Sequence, residues 1–120
     1  MITISLALAL LATQATAQPT PHQTPALSLQ AQASLKCSAA FALVSYGQAA
    51  GDPAALAWPE IDPKGREYFV QTMARIMDET GIDRDQAAAL AEREAKRLLD
   101  ANEVDAVMPA CLQLLVSSGL

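Results

Sequence analysis

The apolar pattern is densest between Leu35 and Gln48, where LKCSAAFALVSYGQ is hydrophobic around almost the whole turn of a helix. Cys37, Ala40, Phe41 and Val44 recur on one face, and Leu35, Ala39, Ala42, Leu43 and Tyr46 cover most of the rest. A helix apolar on every side is normally buried, so the remaining chain is expected to wrap this one. The helical pattern opens at Ala26 or Ser28 and runs to about Ala50, where Gly51-Asp52-Pro53 ends it.

Four further segments follow. Asp52 is expected to cap a short helix between Pro53 and Trp58, because its carboxylate accepts from free N–H groups while Pro53 suits the first helical position. The loop Pro59-Glu60-Ile61 leads to a second Asp-Pro start, Asp62-Pro63, which repeats that cap chemistry and predicts a helix to about Thr80. In it Phe69, Met73, Ile76, Met77 and Thr80 form a stripe facing the core, with Arg75, Asp78 and Glu79 on the other side. Met73 and Met77 read as core filler, the alternative being the lining of an adaptable groove. Gly81-Ile82 fits a left-handed helix end.

Asp83 with Gln86 has the form of a capping box. The helix it starts runs to about Ala101, with Ala87, Leu90, Ala91, Ala95 and Leu98 inward. Its charged side reads as a solvated face on which Glu92 and Lys96 attract and Arg93 and Arg97 repel, each by a few tenths of a kcal/mol. Met108-Pro109 is expected to restart a last helix through Cys111, Leu112, Leu114 and Leu115, frayed by Ser117-Ser118-Gly119.

Ahead of all this, residues 1–17 (MITISLALALLATQATA) form an uncharged apolar run ending in Ala15-Thr16-Ala17, the pattern of a cleaved signal peptide and too short for a spanning helix. Residues 18–27, with Pro19, Pro21 and Pro25, read as a flexible tether carrying His22. A lone histidine there lacks neighbouring ligands for a metal. Residues 28–120 then make one all-α domain, a bundle of four or five helices. Export to an oxidising periplasmic or extracellular compartment makes Cys37 and Cys111 a disulfide rather than a catalytic or metal-binding pair.

Composition narrows the picture. Aromatics are 4% of the chain, so the core is built from Ala, Leu, Val and Met, which favours close helix packing over a sheet sandwich. A formal charge of -5 and the lack of clustered Lys or Arg exclude nucleic acid and anionic membrane surfaces as partners. No nucleophile–base pair, phosphate loop or metal-ligand spacing stands out, and no cofactor is expected. One cluster does: Trp58, Glu60, Asp62, Arg66 and Tyr68 crowd aromatic and charged side chains around two prolines. It is a candidate ligand or partner surface, although a Trp closing the edge of a small core is the commoner case.

The expected function is therefore that of a non-enzymatic binding or structural protein of the cell envelope, with another envelope protein as its partner. Two alternatives stand beside it. One is an enzyme with a site at Glu60, Asp62, Arg66 and Tyr68. The other follows from an outline, a small exported helical domain with one long-range disulfide, that is similar to the periplasmic acid-stress chaperones. On that similarity, charging from -5 to about +9 in acid would loosen the helices and expose apolar surface to clients.

Overall fold

The computed structural model describes residues 25–120; the expected signal peptide at 1–17 and the tether up to residue 24, His22 included, lie outside the described residues. Five helices follow one another: α1 (Leu29–Ala50), α2 (Pro53–Leu56), α3 (Lys64–Thr80), α4 (Arg84–Asp100) and α5 (Val104–Ser117). The described residues contain no strand.

Helix α1 is the axis of the fold, and each of the other four packs on it. Ser28 starts it by accepting the Ala31 N–H at 3.1 Å, and Gly51 ends it at φ 77°, a left-handed conformation that only glycine adopts without steric cost. Around its middle and C-terminal half lies one core cluster, with Phe41, Val44, Ile61, Leu98 and Met108 buried together. Under its N-terminal half lies a second, where Ala31 and Leu35 meet Met73, Ile76, Leu90 and Ala91. Leu27, at the end of the expected tether, packs against that second cluster. Burying each of the larger side chains among them is worth about 1.5–3 kcal/mol, so the two clusters dominate stability. Cys37 and Cys111 are joined within the first cluster, their Cα atoms 5.1 Å apart, which fastens α5 to the middle of α1.

Small residues on α1 let the other helices approach closely. Gly65, in the first turn of α3, shows how closely: a Cβ there would overlap the Ile61 side chain and stand 3.3 Å from Phe41 Cβ. The Asp52 cap, the left-handed Gly81 and the Asp83–Gln86 capping box all form as their residue types dictate. The inward face of α4 is also as read, with Ala87, Leu90, Ala91 and Leu98 buried.

Five local expectations are corrected. Asp62 does not cap α3; Pro63 holds that position without a side-chain bond, after a cis Asp62–Pro63 peptide, and the Asp62 carboxylate is taken by Ser45 and Arg66. The core stripe of α3 is rotated toward Gly65, Tyr68, Thr72, Met73 and Ile76, leaving Phe69 and Met77 only half-buried, because Gly65 sets which side touches α1. Helix α5 begins at Val104 rather than at Met108-Pro109 and runs through Pro109, which lacks the N–H that would bond the Asp105 carbonyl.

On α4, Lys96 pairs with Asp100 rather than Glu92. Beside it Arg97 bridges Glu94 at 2.7 Å and Glu103 at 3.0 Å. Those two carboxylates, Glu94 first, hold its guanidinium above the ordinary arginine range. The bridge ties α4 to the corner before α5, and being nearly half exposed it contributes little more than an ordinary surface pair. Finally, α1 is not covered on every side: Tyr46 is 78% exposed.

Candidate functional site

The end of α2 and the segment that follows it, as far as Ile61, are held at four points by one residue of α1. The Gln48 side-chain amide donates to the carbonyls of Ala55 (3.1 Å), Trp58 (3.2 Å) and Pro59 (2.9 Å), and its oxygen accepts the Ile61 N–H at 3.2 Å. Ile61 anchors the same segment by inserting fully into the core. Trp58 lies half-buried against the first cluster, and its indole N–H donates to the Asp105 carboxylate at 2.9 Å in the first turn of α5. It therefore closes the edge of the core with its ring and links α5 to the loop with its nitrogen.

The pinned loop shapes two adjoining open clefts along the outer face of α1. One, of about 460 Å³, runs between Ser45, Gln48, Leu56, Trp58, Glu60 and Asp62. The other, of about 380 Å³, is bounded by Ala42, Tyr46, Arg66 and Phe69, and the two share Ser45, Ala49 and Asp62. At that shared wall the Ser45 hydroxyl donates to Asp62 at 2.9 Å, and Arg66 reaches the same carboxylate oxygen at 3.4 Å. Both partners of the ion pair are solvent-exposed, Asp62 by 39% of its side chain. Such a pair is easily exchanged for a partner's charge.

Of the five residues singled out in the sequence, the structure brings together Trp58, Glu60, Asp62 and Arg66. Tyr68 does not join them. Standing two positions beyond Arg66, it points about 200° round α3, sits edge-to-face on Phe41 with ring centroids 5.4 Å apart, and directs its hydroxyl at Ser34. The residues missed were Gln48, Ser45 and Asp105. Their roles depend on partners 7 to 47 positions away, which no local pattern encodes. Tyr46 was misplaced, although its position two residues beyond Val44 turns it away from the Cys37–Phe41–Val44 face.

Among the described residues no group of three or more His, Cys, Asp and Glu is placed to hold a metal ion. No helix among them is long and apolar enough to cross a membrane. Comparison with protein-family models, with curated proteins and with solved structures finds no match, so the assignment of a site rests on the geometry of these residues.

Proposed function

We propose that this chain is an exported, non-enzymatic binding or structural protein of the cell envelope, which receives a protein partner along the outer face of the C-terminal half of α1. The observation that carries the reading is the uncovered side of the central helix. Four helices pack on α1, yet Ala42, Tyr46 and Ala49 remain exposed beside Leu56, itself 58% exposed. Apolar surface of this kind bordered by polar groups, here Glu60, Asp62 and Arg66, is the anatomy of a protein interface, and an exposed tyrosine is a favoured anchor.

Preorganisation supports the same reading. Gln48 fixes the loop wall of the cleft before any partner arrives, so little ordering entropy is lost on binding. A long-range disulfide suits an exported domain that must stay folded in an oxidising compartment. The enzyme alternative is weaker on this geometry, since its four residues are split between an exposed cleft and the core.

The test is site-directed photo-crosslinking in intact cells. A crosslinker at position 46 is expected to trap a discrete envelope protein, one at the solvent-facing position 93 is not, and Leu56→Asp should abolish the adduct. Equal, diffuse labelling from positions 46 and 93 would remove the reading.

A further inference from the structure

A third cleft, of about 290 Å³, opens between the N-terminal half of α1, the middle of α3 and the end of α5. Its chemistry differs from that of the proposed interface. The floor is hydroxylic: Ser34 on α1 and Tyr68 and Thr72 on α3 all line it, and each is more than nine-tenths buried. Buried hydroxyls are normally hydrogen-bonded, because water no longer solvates one left unpaired. Here Tyr68 donates to Ser34 at 3.4 Å, a long hydrogen bond, and the Thr72 hydroxyl, which has no side-chain partner among the described residues, is not one of the fully enclosed unpaired atoms and so opens on the cleft.

The charge pattern at the rim is equally specific. Arg75 lines the cleft and takes part in none of the ion pairs among the described residues. No Asp or Glu lines it, although acidic residues outnumber basic ones 13 to 8 along the chain. The carbonyls at the nearby end of α5 are occupied, those of Leu114 and Leu115 by the Ser118 N–H and that of Val116 by the Gly119 N–H, which blunts the negative end of that helix. Leu114 supplies one apolar wall.

We infer that this cleft binds a small hydroxylated carboxylate, of the size and type of a sugar acid. The guanidinium fork of Arg75 takes the carboxylate in two parallel hydrogen bonds, the geometry for which arginine is suited. The hydroxyls of Thr72, Ser34 and Tyr68, each able to donate and accept, take the ligand's hydroxyls. The volume falls at the small end of ligand pockets, which fits one monosaccharide unit rather than a polymer.

The experiment is an NMR titration of the 15N-labelled protein with D-glucuronate, run beside D-glucose as the neutral match and acetate as the bare carboxylate. Glucuronate is expected to give saturable amide shifts at Ser34, Thr72 and Arg75. Glucose and acetate should each bind at least about tenfold more weakly, the worth of the lost charge-assisted or hydroxyl bonds. Arg75→Gln, at an exposed position that leaves the fold intact, should weaken glucuronate by a similar factor. Thr72→Val, which keeps the shape of the floor, should weaken it severalfold. Absence of saturable shifts at millimolar glucuronate, equal binding of glucose, or undiminished binding by Arg75→Gln would each overturn the site.

Discussion

At the scale of single residues, two polar side chains on α1 have opposite energetic signs. Ser38 is fully buried and its hydroxyl has no hydrogen-bond partner among the described residues, so the core bears its desolvation with nothing in return. Ser38→Ala is expected to stabilise by about 1 kcal/mol, seen as a raised unfolding midpoint; a loss of stability would show that the hydroxyl is satisfied in solution. Gln48 is the reverse case. From α1 its amide serves three carbonyls and one N–H of the neighbouring segment. Gln48→Ala should destabilise by about 2 kcal/mol, the cost of orphaning partly buried backbone groups. Trp58 is the only tryptophan and sits on the released loop, so its fluorescence should become more accessible to iodide quenching in the same variant. Unchanged quenching would mean that Asp105 and Ile61 alone hold the loop.

At the scale of helices, the α1–α3 contact is set by a missing side chain. Gly65 lies where a methyl group would collide with Ile61 and press on Phe41. Gly65→Ala gains a few tenths to 1 kcal/mol of helix propensity, but overpacking costs about 1–3 kcal/mol, so the net effect is destabilising. The same substitution should perturb the backbone amide resonances of Phe41, across the contact, more than those of the distant Leu90. A stabilised Gly65→Ala variant would show that α3 has room to shift outward. The helix boundaries sort by the same logic of locality. Asp52, Gly81 and the Asp83–Gln86 box were readable because each signal is satisfied within three or four residues. Asp62 misled because Ser45, 17 positions earlier, competes for its carboxylate.

At the scale of the whole molecule, the disulfide is the one covalent tie between the middle of α1 and α5, across 74 positions. Closing a loop of that length removes about 4.5 kcal/mol of unfolded-state chain entropy, a large share of a small domain's total stability. Reduction, or Cys37→Ala with Cys111→Ala, is therefore expected to lower the urea midpoint by about 2–3 M at an m-value of about 1.5–2 kcal/mol/M. An unchanged midpoint would mean that the two core clusters hold α5 without it. The two proposed binding regions lie along different lengths of α1, the partner cleft at its C-terminal half and the hydroxylic cleft at its N-terminal half. Variants of Tyr46 and of Arg75 should accordingly act independently.

By itself the sequence determined the all-helical class, the order of the elements, most caps, the inward face of α4 and the pairing of the two cysteines. Each of these follows from periodicity, from chemistry closed within one turn, or from there being a single way to pair two thiols. Tertiary structure decided which side of α1 stays uncovered, how far α3 is rotated about its axis, and that Tyr68 belongs to the core while Trp58, Glu60, Asp62 and Arg66 share one rim. An apolar residue such as Tyr46 has the same helical propensity whether or not a neighbour covers it, and one glycine at position 65 chooses the contacting face of a whole helix. Coverage and contact depend on where other elements come to rest, which is a property of packing across tens of residues rather than of any local pattern.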